Sequence, residues 1–355
     1  MLADAQREKM NMLEALRRIT PEWFDTLTRR YNVLHAISVL QPVGRRALTG
    51  HLRWSERKVR SEIDALKDNG LVCVRTQGMT LSEEGAEALS GIGDIMRLIN
   101  ELGPLEEQVT AVLGVLRVRV VAGDCERDAS VLREMARAAS QELRGVLHSS
   151  DIIAVTGGST MAAVAYEMEE TTRWKDLTFI PARGGMGRFV ERQANTIAAV
   201  MARKLGGNYR LLHVPDRLRG EARRAALEDP ETREVLCELR KADIFMYGIG
   251  RGDEMARRRN LPEEVVALLR DAGAVAEAYG YYFNAQGKSV YTVSNVGLTL
   301  EHLDGIANHI GVAGGAQKAE AIMAVARHNA MMTLVIDEAA ARRIVSLQTG
   351  EAAEA

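Results

Sequence analysis

The chain has 355 residues, 46% of them hydrophobic and 26% charged, with a formal net charge of −2. Its length exceeds what one hydrophobic core usually serves, so two domains are expected, and its composition excludes extensive disorder. No apolar run nears the ~20 residues that span a bilayer, and the opening MLADAQREKM is charged rather than leader-like, so the expectation is a cytoplasmic protein with no membrane partner. Cys73, Cys125 and Cys237 lie far apart and match no metal-ligand or redox spacing, so no metal, disulfide or cofactor is expected.

Over residues 23–40, Phe24, Leu27, Tyr31, Leu34 and Ile37 recur at the spacing of a helix that buries one face, and Pro42 follows it. Residues 45–52 read as a short second helix and Arg53-Trp54 as a tight connection. Ser55 is placed to cap a third helix that runs to about Asn69, where Gly70 supplies a left-handed stop. Val59, Ile63 and Leu66 form its buried stripe, which leaves Glu56, Arg57, Lys58, Arg60 and Ser61 outward. Residues 71–75 and 79–81 are strand-like runs around a Gln77-Gly78 turn, as in a wing.

Between Gln41 and Arg75 eight cations face four anions, a local excess that the net charge conceals. A charged face is ordinarily a solvated one. Combined with the helix spacing and the wing, the excess points to a winged helix-turn-helix whose third helix enters the major groove of double-stranded operator DNA. Arg57 and Arg60 are the candidates for base or phosphate contacts, with Arg45, Arg46, Lys58 and the capping Ser55 beside them.

From Ser82 to Leu113, Leu89, Ile92, Ile95, Met96, Ile99, Leu102 and Leu105 keep a helical spacing. A linker helix is expected, either packed on its own domain or forming a dimer seam between two heads. The domains are therefore expected at 1–90 (head), 91–113 (linker helix) and 114–355.

The remainder alternates short apolar runs with helical stretches, the pattern of an α/β domain whose mostly parallel sheet is covered on both sides. Strands are expected over 115–121, 152–156, 177–181, 209–214, 244–249, 309–313 and 333–336. Four of them run into glycines: Gly157-Gly158, Gly184-Gly185, Gly248 and Gly250, and Gly314-Gly315. Ligands of open α/β sheets bind at the carboxyl ends of strands. In Thr156-Gly157-Gly158-Ser159-Thr160 the glycines permit close approach of an anion, Ser159 and Thr160 add hydroxyls, and the following helix presents free N–H groups. Glycine loops also make ordinary strand-to-helix turns, and neither the Walker nor the dinucleotide pattern occurs, so a smaller phosphorylated ligand is favoured over a nucleotide. Arg183, Gln193, Arg257, Arg258, Arg259 and Lys318 follow these loops, and arginine forks suit phosphate. Glu277 is a candidate acceptor for sugar hydroxyls, whereas Tyr281, Tyr282 and Phe283 read as core.

The chain resembles the SorC-type sugar-responsive regulators over nearly its whole length. The similarity is carried by Pro42-Val43-Gly44-Arg45-Arg46, Gly78-Met79-Thr80-Leu81, Ala154-Val155-Thr156-Gly157-Gly158, Pro181-Ala182-Arg183-Gly184-Gly185, Gln193-Ala194-Asn195-Thr196, Arg258-Arg259-Asn260, Gly280-Tyr281-Tyr282-Phe283-Asn284-Ala285 and Val312-Ala313-Gly314-Gly315. The resemblance implies a repressor of glycolytic genes with a glucosamine-6-phosphate isomerase-like domain that binds fructose-1,6-bisphosphate. It places ligand contacts on Ser159, Thr160, Arg183, Gln193, Arg258, Glu277 and Lys318, with Gly157, Gly158, Gly314 and Gly315 shaping the site. It also implies a homodimer or homotetramer whose sugar-bound form loses contacts between dimers.

Two other classes fit parts of the chain. The same fold carries isomerases and lactonases of sugar phosphates, for which Glu277, Asp253 and His309 would be the acid–base candidates. The DNA-binding head favours a non-enzyme, and His309, beside an apolar strand, reads as structural. A non-specific DNA-packing protein would show salt-dependent binding with little operator preference, and the acidity outside the head disfavours it.

Overall fold

The computed structural model describes residues 13–350 apart from 14, 17, 53, 100–101, 186–188, 216–217, 219 and 294–295; the expected connection at Arg53 lies outside the described residues. The chain divides into two compact units, one ending at Gly103 and one beginning at Pro104.

In the first unit α1 (Pro21–Leu40), α2 (Arg45–Leu52) and α3 (Glu56–Asp68) precede the hairpin β1 (Val72–Arg75) and β2 (Gly78–Leu81), followed by α4 (Glu83–Ile99). Val33, Leu34 and Ile37 of α1, Leu48 of α2 and Val59, Ile63 and Leu66 of α3 close one core with Val72 and Met79. The Ser55 hydroxyl accepts the Lys58 N–H at 3.4 Å to start α3, and Gly70 at φ 75° ends it. The wing departs from expectation by one residue. Arg75 pairs with Gly78, so Thr76-Gln77 make the turn and Gly78 opens β2. The reason lies across the hairpin: Val43 N donates to Met79 O (3.1 Å) and Met79 N to Val43 O (2.8 Å). A Cβ on Gly78, at φ 134°, would stand 2.9 Å from Val43 N. Glycine is required there for close approach as well as for conformation.

The connecting stretch forms two helices, α4 and α5 (Leu102–Leu113). Met96 of α4 packs with Phe24 of α1, whereas Glu106 of α5 accepts the Val120 N–H at 2.6 Å in the second unit.

The second unit runs β3 (Arg117–Val121), α6 (Ala129–Val146), β4 (Ile152–Val155), α7 (Ser159–Glu167), β5 (Thr178–Pro181), α8 (Ala194–Leu205), β6 (Asn208–Tyr209), α9 (Gly220–Glu228), α10 (Pro230–Leu239), β7 (Ile244–Arg251), α11 (Gly252–Arg258), α12 (Glu263–Asp271), β8 (Ala274–Ala278), β9 (Tyr281–Asn284), β10 (Ser289–Thr292), α13 (Leu300–Leu303), β11 (Asn308–Val312), α14 (Ala319–His328), β12 (Met332–Asp337) and α15 (Glu338–Thr349). A parallel sheet has the order β6-β5-β4-β7-β11-β12-β3. The end of β7 continues past it, pairing Ile249–Arg251 antiparallel with β8, and β8, β9 and β10 follow as an antiparallel meander.

Side-chain alternation separates the two faces of the parallel sheet. Ile153, Val155, Phe179, Ile244, Met246, Ile310, Val312 and Val335 enter one core with α6, α7 and α8. The other face carries Phe245, Tyr247 and His309 against Tyr279, with Tyr247 and Tyr279 centroids 5.1 Å apart. Both faces are dry, which is why these strands read as nearly continuous apolar runs. From β4 the chain moves outward through β5 and β6, then returns to β7 on the other side of β4 and continues to β11 and β12. The carboxyl ends of β4 and β7 thus mark a topological switch point.

Two expectations needed correction. The strand expected over 209–214 shrinks to Asn208–Tyr209, because the Asn195 side chain takes both the N–H (2.9 Å) and the C=O (3.1 Å) of Leu212 in place of a neighbouring strand. Tyr282 and Phe283 are core as expected, each 0% exposed, but they belong to the antiparallel meander, which was not anticipated.

Candidate functional site

Three groups of residues meet the carboxyl ends of the parallel strands. The first is the turn from β4 into α7. A Cβ on Gly157 would lie 2.7 Å from Arg192 O, and Gly158, at φ 120°, donates its N–H to that same carbonyl at 2.9 Å. Both glycines therefore bed the turn on the segment leading to Gln193, whose Oε1 is 3.8 Å from where a Gly185 Cβ would stand. The first intrahelical bond of α7 runs from Ala162 N to Gly158 O, so the N–H groups of Ser159, Thr160 and Met161 precede it at the positive helix end. Ser159 is exposed and Thr160 half-buried, with its Cβ 3.9 Å from the Cβ position of Gly248 on β7. An anion fits such a turn.

The second group is buried. Glu277 of β8 accepts from Arg259 Nη2 at 2.6 Å and from Gly280 N at 2.7 Å through one oxygen, and Arg183 Nη1, beyond β5, is 3.8 Å from it. All three side chains are at most 8% exposed. The guanidinium of Arg183 lies on Gly280 Cα, where a Cβ would stand 2.5 Å from Nη1. Tyr279 (φ 39°) and Gly280 (φ 96°) form the β8–β9 turn, so a tyrosine holds a strained backbone conformation beside the cluster. Two guanidinium groups converge here on one carboxylate, an environment suited to a further anion.

The third group surrounds Gly314 and Gly315 after β11. The Gly315 N–H donates to both carboxylate oxygens of Asp337 at 2.9 Å, and Asp337 also accepts from Cys125 N (2.9 Å) and Ala340 N (3.0 Å). A Cβ on Gly314 would stand 2.7 Å from Cys125 Sγ, and one on Gly315 2.6 Å from the Glu126 carboxylate. These glycines give close packing, and the Gly315 amide is already engaged. Burial, reinforced by the Asp337 charge, pushes the Cys125 thiol up to about 12, which makes it inert. Burial, with Asp124 beside it, also raises the Glu126 carboxyl, against the opposing charge of half-buried Lys318.

Of the three successive arginines, Arg257 and Arg258 point outward, paired with Asp253 (3.1 Å) and Glu254 (2.6 Å) at 72% and 58% exposure, while Arg259 turns in to Glu277. Asp337 is a site residue that sequence reasoning did not select, and Arg259 is named there only together with its two neighbours. Asp337 has the signature of a helix cap, an aspartate between an apolar run and a helix; nothing in the triplet Arg257-Arg258-Arg259 marks its last member.

The acid–base candidates are each committed elsewhere. His309 Nε2 lies 3.1 Å from both Leu303 O and Ile306 O, and burial lowers its pKa. Burial tends to raise the Asp253 carboxyl, but Arg251 and Arg257 hold it below its ordinary range. Glu277 serves the arginine cluster. A cleft of about 500 Å³ adjoins the third group, lined among others by Arg251, Gln317 and Arg343.

In the first unit, Arg46, Ser55, Arg57, Lys58 and Arg60 are exposed and Arg45 is half-buried. Lys58 Nζ sits 4.2 Å from the Trp54 ring centroid, a cation–π contact that steadies the start of α3. Glu62 is buried beneath them and bridges Arg29 (2.9 Å) and Arg30 (3.4 Å) of α1, so two helices are tied by one carboxylate. It follows Val59 by three residues and precedes Leu66 by four, which put it on the inner face.

Among the described residues, no helix is long and apolar enough to cross a membrane and no group of His, Cys, Asp and Glu is arranged to hold a metal ion. Residues 98–346 match the family described as "Putative sugar-binding domain", and residues 26–96 match the CggR N-terminal DNA binding domain. The central glycolytic genes regulator of Bacillus subtilis (strain 168) is 41% identical over 94% of this chain and 98% of its own length; that of Priestia megaterium is 38% identical over the same shares. The crystal structure of a protein described as a "putative SorC family transcriptional regulator" from Enterococcus faecalis is 40% identical, with a TM-score of 0.65 over 68% of this chain and 99% of that one. The full-length sorbitol operon regulator SorC of Klebsiella pneumoniae, 16% identical, shares the fold with a TM-score of 0.63 over 86% of this chain and 94% of that one. With its DNA-binding head and its parallel-sheet ligand domain both matched in this way, the chain belongs to the SorC family of sugar-binding transcriptional regulators.

Proposed function

We propose that the chain is a repressor of glycolytic genes whose grip on double-stranded operator DNA is modulated by fructose-1,6-bisphosphate. The reading of the ligand rests on two anion-suited features beyond the carboxyl ends of the neighbouring strands β4 and β5: the N–H groups at the start of α7 and the buried Arg183–Glu277–Arg259 cluster. Two phosphates on one sugar answer two such features better than a single phosphate does. Gly157, Gly158, Ser159, Thr160, Gln193 and Lys318 complete the contacts, Gly314 and Gly315 shape the wall, and Arg258 stands at the rim. The relatives named as central glycolytic genes regulators support the target genes. Arg57 and Arg60 read the operator, with Arg45, Arg46 and Lys58 on the phosphates, and a homodimer or homotetramer presents the heads in pairs. No turnover is expected.

A thermal-shift titration with fructose-1,6-bisphosphate, fructose-6-phosphate and inorganic phosphate tests the effector. A ligand that binds only the folded state stabilises it by about 2.7 kcal/mol at a hundredfold excess over Kd. A selective shift with the bisphosphate is expected; equal shifts, or none, overturn the assignment. Product formation above a Lys318→Ala control would make the protein an enzyme.

A further inference from the structure

Thr156 follows β4 and immediately precedes Gly157. Its N–H continues the sheet by donating to Met246 O at 3.0 Å. Ile153 and Val155 point into the core under α6, α7 and α8, so Ala154 and Thr156 belong to the opposite face, that of Tyr247 and Tyr279. Val155 is in register with Pro181 and with Met246, which sets Thr156 level with Ala182 and Tyr247, one residue from Arg183. The residue is 4% exposed, and its Oγ1 is buried without a hydrogen-bond partner. Tyr279 Oη, on the same face, is a second buried hydroxyl in that condition.

A buried hydroxyl with no partner destabilises the protein that carries it, and valine would fill the same shape without that cost. Such a group is explained where a ligand completes it. We propose that the Thr156 hydroxyl is a contact of the bound sugar phosphate, hydrogen-bonding one of its oxygens from beneath the glycine turn. This rests on the effector site proposed above. The hydroxyl then has one role in each state: an unmet group in the free protein and a discriminating donor in the complex.

The experiment uses the full chain as wild type, Thr156→Val and Thr156→Ser, with fructose-1,6-bisphosphate as probe. Unliganded melting temperature, Kd for the bisphosphate and operator affinity without ligand are read for each. Thr156→Val is expected to melt at or above the wild-type temperature, to bind the bisphosphate about tenfold more weakly, as loss of one hydrogen bond implies, and to hold operator normally. Thr156→Ser is expected to stay within about twofold of wild type in Kd. Wild-type affinity in Thr156→Val overturns the proposal. So does Thr156→Ser binding as weakly as Thr156→Val, which would assign the effect to the methyl group, or a fall in the unliganded melting temperature of Thr156→Val, which would show that the hydroxyl serves the fold. If wild type itself ignores the bisphosphate, the effector assignment fails and takes this contact with it, an outcome distinct from the other three.

Discussion

Arg57 and Arg60 on α3, and Arg183 and Arg259 around Glu277, are the same chemical group in opposite surroundings. The first pair stands in water, where a guanidinium is stable without a fixed partner and is free to meet a phosphate backbone. The second pair is at most 8% exposed and is held in place by a carboxylate from a distant segment of the chain. Exposed cations can be altered with little effect on folding, whereas buried ones are part of the fold's own balance. Under the function proposed above, the first unit would keep recognition and stability in separate residues, whereas the second would merge them.

The largest effect that would sharpen this contrast is expected from Glu277→Ala. Removing the carboxylate leaves two buried guanidinium groups without it and frees the Gly280 N–H, so urea unfolding should show the second unit destabilised by about 3–5 kcal/mol; a loss below 1 kcal/mol would break the contrast. Asp337→Ala, which strips the acceptor from the N–H groups of Gly315, Cys125 and Ala340, should cost about 3 kcal/mol in the same assay. In the first unit, Arg57→Ala with Arg60→Ala should weaken operator binding and lower the slope of log affinity against log salt by about 1–2. Its melting curve should stay within about 0.5 kcal/mol of wild type.

A smaller effect is expected with pH. Burial lowers the pKa of His309, and of His328, below the ordinary 6.5, so the unfolded chain binds more protons than the folded one in acid. Stability of the second unit should fall as pH drops through about 6.5, and His309→Asn should flatten part of that slope. The smallest effect belongs to Arg258→Ala. Its exposed pair with Glu254 should contribute less than about 0.5 kcal/mol, so any reduced response to fructose-1,6-bisphosphate would report a ligand contact rather than folding.

The same contrast explains what the amino-acid sequence reveals. Helix caps, apolar stripes and glycine-ended strands are local signals, and Ser55, Gly70, the α3 stripe and the Gly157-Gly158 turn stand where such signals put them. Buried polar partnerships are not local. Glu62 and Arg259 each carry a charge whose partner lies 18 to 33 residues away, and only the packed chain distinguishes them from solvated neighbours such as Glu56 and Arg258. The antiparallel meander escaped for a related reason: Ala274–Ala278 is short and alanine-rich, without the β-branched run that marks a strand.

The length of β7 has a consequence for anyone who would cut or graft this domain. Its first five residues hydrogen-bond within the parallel sheet and its last three within the antiparallel one. The meander is thus continuous with the parallel sheet rather than appended to it. Deleting it would leave the backbone of Ile249–Arg251 as an unpaired edge and remove the strand that holds Glu277, so the shortened protein should self-associate through that edge instead of surviving as a smaller domain.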